Sequence, residues 1–321
     1  MCTALIKKTK EDVYLLRNLD DSYYLNNEII ITPKNYSYLL KGYVSKKIVN
    51  DYEIWGIGRV IDEYPLYFDC VNEHGLSFAA LAFKNLAVYQ DFDYKKLNLA
   101  PYELPLYLLG KCKNIKEVAQ ELAKINILNF DFSKKVTLTP LHFIFGDKTG
   151  ASLIVEPMKN GIMTYKGGNA VLTNAPSLKY QFFNLSNYQN LSNGDMKNNM
   201  KFTIPFSNYS FGLGAYGLPG DYSSSSRFVK ANYLMKTCID SYRKQSNIYN
   251  LFNILSQVSM PLGAVYKDKE KIYETTVYSV IYSLKERRLY LRKMNYLETM
   301  SINIDAYIYN KDGNELMVYP I

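Results

Sequence analysis

Short apolar runs punctuated by turn residues set the pattern of this chain. Residues 3–6 and 13–17 are apolar segments around the polar stretch 8–12, which predicts an N-terminal hairpin. Glu28–Thr32 is a further strand, stopped by Pro33. Ile54–Ile61 carries Gly56 and Gly58, as a strand lying close against another backbone would. Residues 75–83 read as a strand of small and apolar side chains. Residues 138–145, 152–156, 162–165 and 170–173 are short strands, separated by turns at 147–150, 159–161 and 167–168. A closing hairpin is expected from 273–284 and 288–292, with a strand-like tail to Tyr319.

Helical periodicity is confined to three places. Ile115, Val118, Ala119, Leu122 and Ala123 recur behind Asn114 and Glu117, an Asn form of the capping box, which predicts a helix over 114–126. Phe228, Ala231, Leu234, Met235, Cys238 and Tyr242 mark the apolar face of a long helix, and 248–258 gives another. Arg227 falls in the first turn of the long helix, where a cation opposes the helix dipole, so it serves a partner elsewhere. The polar stretch 184–208 has little periodicity and reads as a long functional or assembly excursion. With no repeat and no shift in composition, the pattern predicts one α+β domain over 1–321, antiparallel sheets covered by helices.

Composition narrows the function classes. The 321 residues are 48% hydrophobic and 21% charged, as in a protein with a substantial core. The net charge of +8 comes from scattered Lys and Arg without a basic run, which argues against nucleic acid as a partner but suits anionic small substrates. Cys2, Cys70, Cys112 and Cys238 are far apart, so there is no zinc-ribbon or thioredoxin spacing. No apolar run approaches the length of a membrane span, and the expected location is the cytoplasm. His74 and His142 lack a serine-hydrolase signature, and His142 in an apolar strand reads as a hydrogen-bonded core residue. The glycines at 212, 214, 217 and 220 lack the Gly-Lys-Ser/Thr of a phosphate loop. No metal and no cofactor is expected.

The candidate chemistry begins at Met1-Cys2-Thr3. Removal of Met1 would leave Cys2 with a thiol and a free α-amine on one residue, a nucleophile and base needing no second side chain. Arg17 and Asp20 sit in a charged cluster at the end of a predicted strand, which is either a site or a solvated turn. Asn174 ends another strand, and Arg227 follows the glycine-rich segment.

This set resembles the choloylglycine hydrolase family: the bile salt hydrolases and penicillin V acylases of the N-terminal-nucleophile superfamily. The resemblance runs along the whole chain. It is carried by Met1-Cys2-Thr3, Arg17-Asn18-Leu19-Asp20, Thr32-Pro33-Lys34-Asn35-Tyr36, Asp62-Glu63-Tyr64-Pro65, Asn72-Glu73-His74-Gly75-Leu76, Leu172-Thr173-Asn174-Ala175-Pro176, and Gly217-Leu218-Pro219-Gly220-Asp221 leading to Ser226-Arg227-Phe228. It implies a four-layer αββα fold with two stacked, mainly antiparallel sheets, and a homotetramer. It implies hydrolysis of the amide bond of glycine- or taurine-conjugated bile salts through a thioester. The alternatives are penicillin V acylase or another acyl-amide hydrolase, or a non-catalytic ligand-binding descendant. Cys2 matches the family nucleophile, Arg17 the arginine beside the thiol, and Asp20 the carboxylate that holds the nucleophile. Asn174 matches the oxyanion-hole asparagine, and Arg227 a second arginine of the charge network. Ala82 stands where bile salt hydrolases usually carry Asn and penicillin V acylases Tyr. Its backbone N–H is retained, but a side-chain contact to substrate is gone. Leu19, Ile61, Phe68 and Val136 match the pocket wall, with Phe68 bulkier than the usual residue. Each is equally accounted for by core packing.

Overall fold

The computed structural model describes residues 1–22, 27–43, 45–134, 136–197, 208–241, 243–308 and 315–321. Tyr242 and most of the last part of the 184–208 stretch lie outside the described residues.

Two large antiparallel sheets form the middle of the molecule. One runs in the order Ala170–Leu172, Cys2–Lys8, Val13–Asp21, Ile272–Ser283, Arg288–Lys293, Met300–Asn303, with Val265–Lys267 also paired to Ile272–Ser283. The other runs Gly161–Gly167, Ser152–Met158, Leu141–Gly146, Ser77–Ala82, Tyr64–Asn72, Ile54–Ile61, Glu28–Thr32, Met317–Pro320. Helices Ser224–Thr237 and Lys244–Ser256 pack on the first sheet, where Phe228, Ala231, Leu251, Phe252 and Leu255 join its apolar side chains. Helices Leu104–Lys111 and Ile115–Leu122 cover the second, with Leu104, Leu108, Val118 and Leu122 among Phe78, Phe143, Phe145 and Val155. A sheet buried on both faces reads as continuous apolar runs, and the result is the four-layer αββα arrangement.

Several elements differ from the sequence expectation. The strand Val13–Asp21 runs through the charged cluster: Arg17, Asn18 and Asp20 are buried within it, not displayed on a solvated turn. The helix expected over 114–126 covers Ile115–Leu122. Its cap forms, Asn114 Oδ1 accepting from Glu117 N at 3.1 Å, while the Glu117 carboxylate reaches Lys113 N at 2.7 Å. Ile125–Ile127 is instead a strand parallel to Leu97–Leu99, held by Asn126 donating to Asn98 Oδ1. The long helix stops at Thr237, because Cys238 turns to an extended conformation. Leu104–Lys111 is helical although Pro101 and Pro105 flank its start, positions where proline is tolerated because no intrahelical N–H bond is lost there.

The glycines of Ile54–Ile61 answer to a close approach. A Cβ on Gly56 would lie 2.2 Å from the Asp69 carbonyl oxygen, and one on Gly58 2.2 Å from that of Leu66. Between them the register slips: Ile57 faces Asp69 and Gly58 faces Tyr67, so Phe68 is the extra residue of a β-bulge.

Candidate active site

Strand parity builds this site. Side chains alternate across a strand, so Arg17 and Asp20, three residues apart, face opposite sides of their sheet. In the hairpin register Cys2 lies opposite Leu19 and Ala4 opposite Arg17, which puts the Cys2 thiol and the Arg17 guanidinium on one face, toward the second sheet. There Arg17 Nη2 donates to Cys2 Sγ at 3.5 Å, and Nη1 pairs with Asp69 Oδ2 at 3.2 Å and donates to the Phe68 carbonyl. Tyr278 and Tyr282 each donate to the Asp69 carboxylate at 2.5 Å. Burial pulls the Arg17 guanidinium down, but Cys2, Tyr278 and Asp69 outweigh it and hold the group above its ordinary value.

Asp20 faces the helices on the other side. Its Oδ1 accepts from Thr276 Oγ1 at 2.6 Å, and its Oδ2, without a hydrogen bond, lies 4.0 Å from Arg227 Nη1. Burial raises the Asp20 carboxyl, with Arg227 the chief opposing influence, and burial likewise lowers the Arg227 guanidinium. Arg227, fully buried, spans the junction. It donates to the Cys2 carbonyl (2.5 Å), Thr3 Oγ1 (2.6 Å), Asn174 Oδ1 (2.8 Å) and the Tyr222 carbonyl (3.0 Å). This is the partner that its dipole-opposing position called for.

Asn174 arrives from the edge strand Ala170–Leu172, whose pairing of Leu172 with Ala4 carries the chain on toward Cys2. Its Oδ1 accepts from both Cys2 N and Arg227 Nη2 at 2.8 Å. Two donors fix which end of the amide is oxygen, so Nδ2 points the other way and donates to the Ala82 carbonyl at 2.8 Å. Ser224 Oγ holds the Asn174 backbone N–H at 2.9 Å. His142, fully buried and stacked on Phe83, binds the Thr173 carbonyl through Nε2 at 2.7 Å, the core role expected of it.

A cavity of about 440 Å³ opens beside Cys2 and Arg17. Leu19, Ile61, Phe68, Ala82 and Val136, the five candidate substrate positions, all line it. So do Arg59, Lys84 and Lys267. Met1 also lines it, its amino group paired with the buried Glu274. A second cavity of about 480 Å³, beside Asp91, Lys96 and Lys159, contains none of the candidate residues. His74 stands against Tyr52, away from the site. Burial pushes the Cys112 thiol up to about 12 and the Cys70 thiol well above its ordinary value, so both are inert by environment. Among the described residues no cluster of three or more His, Cys, Asp or Glu could hold a metal.

Sequence reasoning missed Asp69, Tyr278, Tyr282 and Glu274. A carboxylate inside the apolar run of Tyr64–Asn72, and two tyrosines four apart on one strand face, were the available signals.

Residues 2–319 match the sequence model described as linear amide C–N hydrolases, choloylglycine hydrolase family. The chain is 34% identical to a bile salt hydrolase/transferase of Lactiplantibacillus plantarum, covering 100% of this chain and 97% of that one. It is 33% identical to a conjugated bile acid hydrolase of Lactobacillus acidophilus, covering 97% and 98%. Its fold superposes on a variant of the conjugated bile acid hydrolase from Clostridium perfringens with a TM-score of 0.90 at 29% identity, covering 100% of this chain and 97% of that one. The penicillin V acylase of Agrobacterium tumefaciens shares the fold, with a TM-score of 0.77 at 20% identity over 99% and 90% of the two chains.

Proposed function

This chain belongs to the choloylglycine hydrolase family of linear amide C–N hydrolases, and on that premise we propose that it hydrolyses glycine- or taurine-conjugated bile salts with Cys2 as nucleophile. The observation that carries the reading is the apolar cavity ending on the Cys2 thiol and the Arg17 guanidinium. An apolar wall suits a steroid acyl group, which binds by burial. Whole-length relatives, one named a bile salt hydrolase/transferase and one a conjugated bile acid hydrolase, support the substrate class.

In this mechanism Met1 is removed first. The freed α-amine of Cys2 takes the thiol proton, and the thiolate, favoured by Arg17, attacks the amide carbonyl carbon. The developing oxyanion accepts from Asn174 Nδ2 and from the backbone N–H of Ala82, donors worth roughly 10²–10³ in rate each. The C–N bond breaks as the α-ammonium returns its proton to the leaving amine of glycine or taurine. Water, deprotonated by the same amine, then attacks the thioester and releases the bile acid. Asp20 and Arg227 act through position: Arg227 spans Cys2, Thr3 and Asn174, and Asp20 sits behind the nucleophile strand.

Ala82 and Phe68, both at the cavity wall, favour a second reading, acyl-amide hydrolysis of the penicillin V type. A panel of glycocholate, taurocholate and penicillin V, read by amine release, separates the two. The bile salts are expected to be the better substrates; penicillin V cleaved at least as fast as both would reverse the assignment. The remaining readings are one domain over 1–321, following the uniform composition, a homotetramer, following the family resemblance, and a cytoplasmic location.

A further inference from the structure

We propose that Asp69, clamped by Tyr278 and Tyr282, is a positioning residue that aims the Arg17 guanidinium at the Cys2 thiol and shares its charge with the thiolate; this rests on Cys2 being the nucleophile.

The guanidinium is gripped at one end. Nη1 is taken by Asp69 Oδ2 at 3.2 Å and by the Phe68 carbonyl, while Nη2 reaches Cys2 Sγ at 3.5 Å and Nε has no partner among the described residues. Aim at the thiol therefore depends on the Nη1 anchor. That anchor is built by the bulge. Phe68 is the residue without a partner in the register, so its carbonyl leaves the ladder and turns to Arg17, while its side chain lines the cavity. Asp69 follows directly, and its carboxylate cannot swing. Tyr278 donates to Oδ2 and Tyr282 to Oδ1, each at 2.5 Å, from a strand of the other sheet. Burial holds both phenols far above their ordinary values, so they remain donors. Arg17, Asp69, Tyr278 and Tyr282 are all essentially without solvent exposure.

The electrostatic consequence follows from counting charges. Before the thiol ionises, Asp69 is the counter-ion of Arg17; once it ionises, one guanidinium serves two anions. The other groups acting on Arg17 and Cys2 are the terminal amine beside the thiol, Tyr278 on the same sheet, Asp20 and Arg227 on the helix side, and Lys267 at the cavity. A neutral residue of the same shape at 69 leaves the whole guanidinium charge to the thiolate.

The test is alkylation of Cys2 by iodoacetamide as a function of pH in Met1-free protein, quantified on the N-terminal peptide, with bile-salt kcat and KM in parallel. Alkylation needs no substrate. Failure of the substrate assignment would silence turnover in the wild type yet leave the alkylation profile readable. Asp69→Asn keeps the shape of the anchor and removes its charge, so Cys2 alkylation at neutral pH is expected to speed up about fivefold with KM held within about twofold. An Asp69→Asn profile superimposable on wild type overturns the proposal. Should that variant fail to fold, Tyr282→Phe decides, since it keeps the ring and frees Oδ1 together with the longer contact to the Asp69 carbonyl at 3.4 Å. Cys2 alkylation slowed about fivefold supports the clamp, and a wild-type rate overturns it.

Discussion

Replacing Arg227 by Met is the most informative perturbation of the proposed site. The change removes four hydrogen bonds, to the Cys2 carbonyl, Thr3 Oγ1, Asn174 Oδ1 and the Tyr222 carbonyl, in a place without solvent to replace them. It also strips Asp20 of its nearest cation, 4.0 Å away. Breaking one side of a buried charged network costs about 3–5 kcal/mol of stability. The rate effect has a separate origin. Asn174 Oδ1 is oriented by two donors, Cys2 N and Arg227 Nη2, and with one gone the amide is held only by Cys2 N and by its own bond to the Ala82 carbonyl. Nδ2 is then held less firmly toward the reacting carbonyl, and the loss approaches that of an oxyanion donor, about 10²–10³ in kcat. Arg227→Lys cannot rescue it, because one ammonium cannot reach acceptors spread along the planar fork. The assay is amine release from glycocholate and taurocholate across a substrate range, with urea unfolding on the same samples. Both variants are expected to lose kcat far more than they raise KM. A folded Arg227→Met protein with kcat within about threefold of wild type would refute the orienting role.

Three other outcomes follow from named contacts. The Met1 amine donates to the Asp20 carbonyl at 3.1 Å and pairs with Glu274 inside the cavity, so a permanent extension ahead of Cys2 keeps the cavity occupied and the Cys2 nitrogen an amide. Turnover should then fall at least about a hundredfold, with intact mass confirming the terminus, and a fully active extended protein would contradict the mechanism. Ala82→Asn adds a polar group to the cavity wall, and a new hydrogen bond to substrate should raise bile-salt turnover or shift the glycine/taurine ratio by roughly fivefold; unchanged values for both conjugates would mean position 82 does not touch the leaving group. Burial pushes the Glu103 carboxyl up to about 7, against the opposing pull of backbone N–H bonds from Lys41 and Ala100. The unfolded chain ionises first, so its contribution to stability is full below the usual carboxylate range and is lost as pH rises through about 7, on the order of 3 kcal/mol at most. Thermal unfolding from pH 5 to 8 should show wild type losing ground to Glu103→Gln, whereas parallel curves would assign the shift to nothing at this site.

Cys2, Arg17, Asp20, Asn174 and Arg227 were legible through the colinear motifs that carry the family resemblance, from the terminal dipeptide to the helix start. That the strand runs on to Asp21, and so parts Arg17 and Asp20 to opposite faces, came only from the structure. What faces them was a different matter. Asp69 meets Tyr278 across 209 residues of chain, and no period or propensity carries information over that separation. The charged cluster at 17–21 could be read as a solvated turn because its burial comes from the two layers that cover it, not from its own composition. The Phe68 bulge likewise depends on how Ile54–Ile61 and Tyr64–Asn72 slip past each other around Gly56 and Gly58. The sequence by itself determined which residues stand in the family's motifs and the strand period around Cys2 and Arg17, since both are local properties of the chain. Only the stacking of the two sheets decided that the thiol would look into an apolar cavity, with an arginine anchored from the facing layer, because strand order and inter-sheet contact are set by the whole core at once.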